Sequence, residues 1–417
     1  TSATMDGVTS IGESAFMYCG GLIDVTVSDE IMGIGDSAFY GCNNLQYNEY
    51  GGGRYLGNEE NPYAVLISVS YHTENLEINS STRIIYGKFT TCRGLTSVTI
   101  PSSVSSIGNE MFKDCDDLTS VVISDGVTSI GDSAFKYCSD LKTVIIPNSV
   151  TKIGADAFSG CSNLQYYEYG GALYLGNAKN HYVALVGIRE DATSVQMSPS
   201  TKVIGDGVFA YNQNLTGVTI DGVTTIGDSA FLGCSGLTSV IIPNGVTTIG
   251  DSAFLGCSGL TSVIIPNGVT AIGSQAFYRC AGLTSVNIPS SVKRVGSKAF
   301  AYCTFLTDIN IPDGVTTIGD STFLGCISLT SMTIPDSVTS IGNYAFKNCN
   351  SLKSVTLTNN VVNIGYLAFN GCAYLTSINF NGTKDEWLKI SSAAGSASED
   401  GSVTVKCADG DLKFKFN

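Results

Sequence analysis

Charge is what this sequence lacks most. Asp, Glu, Lys and Arg make up 14% of its 417 residues, against about a quarter in ordinary globular domains. Thr, Ser, Asn and Gly fill the polar positions instead, which suits exposed strand better than exposed helix. The few charges lean acidic, 36 to 22 with a net of −14. Nucleic acid and anionic membrane both reward clustered Lys and Arg, so neither is an expected partner. No apolar run approaches the roughly 18 residues that span a bilayer, so direct membrane insertion is not expected. Histidine is nearly absent: there are two, His72 and His181. Neither has an evident nucleophile partner, and His181 stands where the related segment has Pro62. Glu49 and Glu168 lack a second carboxylate at defined spacing. The chain therefore reads as non-enzymatic, with no catalytic residue and no cofactor.

Cysteine is plentiful but carries no metal pattern: among 14 Cys there is no C-x-x-C pair. What the chain does have is a unit of about 23 residues, repeated fourteen times. Residues 222–244 recur letter for letter as 245–267. A period in this range marks a stacked solenoid, whose units bury their apolar faces only against their neighbours. Thirteen Cys, from Cys19 to Cys372, share one register, eight residues after the key Ile of each repeat. Stacking places them in a column about 4.8 Å apart and pointing the same way, poor geometry for disulfides. They are expected to be buried reduced thiols acting as small hydrophobes. On that reading Cys257→Ser should cost about 1–3 kcal/mol, for burying an unpaired hydroxyl.

Within residues 92–112 (CRGLTSVTIPSSVSSIGNEMF), Val98 and Ile100 alternate with Thr99, as in a strand with one face buried. Pro101 ends the strand, and seven of the nine prolines hold this place. A second short extended piece carries Val104 and Ile107. Gly follows the key Ile in thirteen copies, the exception being Ile84-Ile85-Tyr86, which points to a positive φ or a close backbone approach. Asp, Asn or Glu commonly comes next (Asp132, Asp228, Asp251, Asp320) and fits the N-cap of one helical turn. Stacked carboxylates also suggest calcium, but one oxygen donor per unit is too few, so no metal is expected. The turn delivers a column of fourteen Phe, from Phe16 to Phe369, which is core.

The run C-x-x-L-T-S-V-x-I-P-x-x-V-T-x-I-G-x-x-A-F resembles the BspA-like, or treponemal-type, leucine-rich repeat family over about residues 5–380. The resemblance implies bacterial secreted or surface-attached proteins, described as adhesins or host-matrix binders, with no catalytic residues to carry over. The expected fold is a leucine-rich-repeat solenoid. It is a right-handed parallel β-rich superhelix with one short helical turn per repeat, two β-meander inserts and a C-terminal cap. The solenoid is assigned to residues 1–380, with inserts at about 46–79 and 165–200, and the cap to 381–417. Because Thr1 opens mid-repeat with no leader, an upstream segment is expected to precede it.

The inserts align without gaps: LQYNEYGGGRYLGNEENPYAVLI from Leu45 and LQYYEYGGALYLGNAKNHYVALV from Leu164. Ten of twenty tyrosines lie in or beside them. The candidate ligand-binding residues are Tyr47, Tyr50, Tyr55, Tyr63, Tyr166, Tyr167, Tyr169, Tyr174 and Tyr182, with Tyr71 nearby. Tyr suits binding interfaces, but it also suits strands packed on a solenoid flank. An outward Thr/Ser column (Thr238, Ser239, Thr261, Ser262, Thr284, Ser285, Thr330, Ser331, Thr376, Ser377) makes a polar sheet suited to multivalent contact, or simply to solubility. In the cap, Thr383 to Ile390 is expected to be an N-capped helix covering the stack with Trp387 and Leu388, closed by strands at Val403–Val405 and Leu412–Phe416.

The expected function is an extracellular or cell-surface interaction and adhesion protein, acting as a monomer on a protein or glycan partner. The alternatives are a spacer or stalk for a surface protein, and a glycan-binding module built on the tyrosine-rich inserts.

Overall fold

The computed structural model describes all residues except 71, 91, 391–394, 398–402 and 417. It divides into two compact units, one of Thr1–Glu168 with Leu173–Val186, the other of Tyr169–Ala172 with Gly187–Asn417. Each is a parallel β-solenoid. In the first unit, strands Asn75–Glu77, Ser97–Ile100, Ser120–Ile123 and Thr143–Ile145 form one parallel sheet. Register steps by one repeat, so Val98 pairs with Val121 and Val121 with Val144. A second strip of two-residue strands, Ser106–Ile107, Ser129–Ile130 and Lys152–Ile153, runs beside it. The second unit repeats the plan, from Ser194–Gln196 with Gly217–Thr219 and Ser239–Ile241 to Ser331–Thr333 with Ser354–Leu357 and Ser377–Phe380.

The core is the set of columns expected from the repeat. In the second unit Phe231, Phe254, Phe277 and Phe300 are fully buried. Their rings stack nearly parallel with centroids 4.9–5.4 Å apart. Cys257, Cys280, Cys303 and Cys326 are free thiols and fully buried. They are not unpartnered, however. Each thiol donates to the carbonyl of the Phe in the preceding repeat, as Cys257 does to Phe231 (Sγ···O 3.1 Å) and Cys138 to Phe112 (3.0 Å).

The segment expected to be a helical turn is not helical. Ala134, Lys136 and Cys138 close short turns on the carbonyls three residues back (3.1–3.3 Å). Ser133, Phe135 and Tyr137 instead donate to Ala155, Ala157 and Ser159 of the next repeat at 2.8–2.9 Å. Beyond its first turn a helix spends every N–H on its own carbonyls. Here Ser133 and Tyr137, four residues apart, turn left-handed (φ 54° and 62°), and every second N–H points along the stack. This is a turn ribbon, and it works as a third inter-repeat ladder.

The N-cap role assigned to the Asp column is corrected with it. Asp132 Oδ1 accepts the N–H of Ala155, and Asp228 Oδ1 the N–H of Asp251, in the following repeat. The preceding Gly is needed for close approach. A Cβ on Gly250, whose φ is not positive, would stand 2.6 Å from Asp228 Oδ1.

The first insert is a meander: Asn48–Tyr50, Gly53–Leu56 and Val65–Val69 pair antiparallel, and the third strand then pairs parallel with Ile84–Ile85. The second insert has the corresponding strands Tyr167–Tyr169, Ala172–Leu175 and Ala184–Ile188. At the C-terminus, helix Lys384–Ile390 begins with a capping box. Thr383 Oγ1 accepts the Glu386 N–H (3.3 Å), and Glu386 Oε2 accepts the Thr383 N–H (2.7 Å). Strand Val403–Cys407 extends the parallel sheet beside Ser377–Phe380, and Gly410–Phe416 folds back antiparallel. Trp387 is fully buried, edge-on to Phe380 and Phe414 at 5.5 Å. Leu388 is exposed and does not cover the stack.

Candidate functional site

The candidate tyrosines divide by burial. Tyr55 and Tyr174 occupy equivalent places and are 0% exposed. As interior residues they offer no surface to a ligand, so they are corrected to insert core. Burial pushes the Tyr55 phenol up to about 12. Their neighbours form the outer layer: Tyr63 stands edge-on to Tyr55 at 5.5 Å, and Tyr182 edge-on to Tyr174 at 5.4 Å. Tyr50 packs on Tyr63 (5.4 Å) and donates to Glu77 Oε1 at 2.9 Å, a bond that raises its pKa. Tyr167 is exposed and lies flat on His181, with centroids 4.2 Å apart. Tyr47, Tyr166 and Tyr169 are half-buried, and burial takes Tyr166 up to about 12. Tyr71 lies outside the described residues. Glu49 is paired with Arg54 (3.5 Å).

The Thr/Ser face is exposed, apart from the half-buried Ser377, but its threonine hydroxyls are not idle. Thr238 Oγ1 donates to the Thr216 carbonyl (2.9 Å), Thr284 to Thr261 (3.3 Å) and Thr376 to Lys353 (3.3 Å). The Thr238 N–H reaches the same carbonyl at 2.9 Å. These side chains stiffen the stack.

A second set of aromatic side chains lies on the turn ribbon. Tyr18, Tyr40, Tyr137, Tyr211, Tyr302 and Tyr366 are exposed there, and Phe305 and Tyr374 just beyond it. Arg279 lies over the rings of Tyr278 (5.4 Å) and Tyr302 (5.9 Å), and Lys347 over Tyr344 (5.2 Å). Nothing in the core columns of the repeat points to these tyrosines. Their signal in the sequence is register: Tyr18, Tyr137, Tyr211 and Tyr302 recur seven residues after the key Ile, two beyond the Phe column.

Among the described residues, no group of three or more His, Cys, Asp or Glu is gathered as a metal site, and no helix is long and apolar enough to cross a membrane. A profile described as the BspA type leucine rich repeat region, in six copies, matches residues 2–52, 69–177, 189–307 and 294–394. The chain belongs to this family. BspA-type repeats build a solenoid, and the coarse role of such a scaffold is to present an interaction surface.

Solved structures similar to it include a leucine-rich repeat protein from Bacteroides ovatus, 25% identical over 75% of this chain and 92% of that one, TM-score 0.44. A leucine-rich cell surface protein from Faecalibacterium prausnitzii is 26% identical over 82% of this chain and 97% of its own, TM-score 0.32. A T. pallidum leucine-rich repeat protein is 25% identical over 51% of this chain and 91% of its own, TM-score 0.37. No curated protein matches.

Proposed function

We propose that this BspA-type chain is a non-enzymatic, secreted or cell-surface adhesion protein that presents its solenoid surface to host matrix proteins, glycans or neighbouring cells. The observation that carries this reading is the recurrence of exposed aromatic side chains on a rigid backbone, including Tyr18, Tyr137, Tyr211, Phe305 and Tyr374. Tyr supplies large amphipathic contact area at small entropic cost. Because the ribbon beneath is bonded to both neighbouring repeats, little further ordering is needed on binding. The surface tyrosines of the inserts (Tyr47, Tyr50, Tyr63, Tyr166, Tyr167, Tyr169, Tyr182) are proposed as contributors.

The test is saturable binding of the purified chain to immobilised collagen, mucin and epithelial cells. A Tyr137→Ala, Tyr211→Ala, Tyr374→Ala variant that still melts cooperatively should bind at least about five-fold more weakly, since aromatic anchors dominate such interfaces. Equal binding by the variant, or no saturable binding to any surface, overturns the reading.

A further inference from the structure

The first insert interrupts the turn ribbon and opens a cleft of about 370 Å³, within the size range of small-molecule sites. Between the first and second repeats the ladder is complete, with Ser14, Phe16 and Tyr18 donating to the carbonyls of Asp36, Ala38 and Tyr40, and it runs again further along, where Glu110 donates to Asp132. At the break, the second repeat faces Tyr86, Gly87 and Lys88 across the cleft. Among the described residues, the Ser37 N–H donates to nothing and the carbonyls of Tyr86 and Lys88 accept nothing. Asp36 has lost its periodic partner as well. Its counterparts Asn109 and Asp132 accept the next repeat's N–H at 2.8 and 2.9 Å, but the Tyr86 N–H is turned away to Leu66 O (2.9 Å). One wall thus offers a donor and a free carboxylate, and the other offers acceptors.

Between them stands the Tyr86 ring, edge-on to Phe39 at 5.9 Å, its hydroxyl oxygen accepting the Phe39 N–H (3.4 Å). That ring blocks an extended peptide from running through the gap as an added strand. The remaining space is lined by Phe39 and Ile67 and flanked by the exposed Tyr40.

We propose that this cleft binds a neutral pyranose sugar. Its ring hydroxyls both donate and accept, so they satisfy Asp36, Ser37 N–H and the two carbonyls together, while its C–H face lies on Tyr40. A neutral sugar is favoured over a uronate or sialate because Asp36 lies in the cleft and the chain carries a net charge of −14. The proposal goes beyond adhesion through the exposed ribbon tyrosines and does not depend on it.

Saturation-transfer NMR on the full chain tests it, with the methyl glycosides of glucose, galactose and mannose, N-acetylglucosamine, and methyl glucuronate. At least one neutral ligand should receive transfer on its ring C–H protons. Asp36→Asn and Tyr40→Ala should each weaken that ligand at least ten-fold, whereas Asp132→Asn should leave it unchanged. No transfer to any neutral sugar overturns the proposal. So does stronger binding of the glucuronate, or undiminished binding in both cleft variants.

Discussion

The ring of Tyr302 lies across Gly325 of the next repeat, so that a Cβ there would stand 2.7 Å from Tyr302 Cδ1 and 3.0 Å from Cε1. Gly325 is also left-handed, with φ 71°. The same pairing recurs as Tyr18 with Gly41, Tyr137 with Gly160 and Tyr211 with Gly233. Each of the four tyrosines at the seventh position after the key Ile is followed one repeat later by glycine. The ribbon thus trades a side chain in one repeat for an aromatic lid from the repeat before.

This pairing predicts a coupled pair of mutations. Gly325→Ala should destabilise by about 1–3 kcal/mol, combining left-handed strain with collision against the ring. In a Tyr302→Ala background the collision is gone and only the strain remains, so the penalty should fall by about 1 kcal/mol. Denaturant melts of the four proteins give the cycle. Strict additivity would mean that ring and glycine do not meet.

The thiol column yields a prediction opposite to the one read from burial alone. Burial of Cys257 was legible in its register, but the Phe231 carbonyl within reach of its thiol was not. That acceptor belongs to a ribbon whose path a helical reading of the repeat misplaces. With a partner present, a serine hydroxyl in place of the thiol is not orphaned, and Cys257→Ser should cost no more than about 1 kcal/mol. A loss near 3 kcal/mol in urea melts would show that the shorter side chain fails to reach Phe231.

Periodicity made most of the fold legible, because columns of Cys, Phe and Pro depend only on which residues repeat. It left the direction of each polar side chain open. Asp132 and Thr238 look like an intrarepeat cap and a solvated face, yet both bond to a neighbouring repeat. A 23-residue alignment cannot distinguish a bond to residue i+3 from one to residue i+23. The inserts show the same limit. Strand alternation within them makes Tyr55 inward and Tyr50 outward, but composition alone counted all the tyrosines as one surface.

The inserts can be tested by that difference. Tyr55→Ala should cost about 3–5 kcal/mol, the usual range for truncating a fully buried aromatic, and should blunt the thermal transition. Tyr167→Ala, removing an exposed ring that rests on His181, should shift stability by less than about 0.5 kcal/mol. Equal effects in thermal melts would contradict the assigned burial.

Alkaline pH should weaken the stack. Burial raises the Cys234 thiol to about 11 and Cys326 to about 12, while an unfolded thiol titrates near about 8.5. The folded state therefore holds protons that the unfolded state releases. Stability is fully present below the unfolded value and is lost as pH rises from about 9 toward 11–12. Melting temperature should be flat from about pH 7 to 8 and then fall, less steeply in Cys234→Ala. A flat profile to about pH 10.5 would mean that the column is not protonated thiol.

The last prediction concerns the end of the second unit. A solenoid without a terminal layer exposes the apolar face of its final repeat, and because contacts are only between neighbours the damage spreads inward from that end. Trp387 fills the end layer between Phe380 and Phe414, and Phe416 in turn packs on Phe369 at 5.2 Å. Trp387→Ala should therefore cost about 3–5 kcal/mol locally. Hydrogen exchange should speed up first in the strands Ser377–Phe380 and Ser354–Leu357 and leave Ser239–Ile241 protected. Leu388→Ala, on the exposed face of the same helix, should change neither. If protection is lost evenly along the unit, it unfolds as one cooperative block and the terminal layer has no special role.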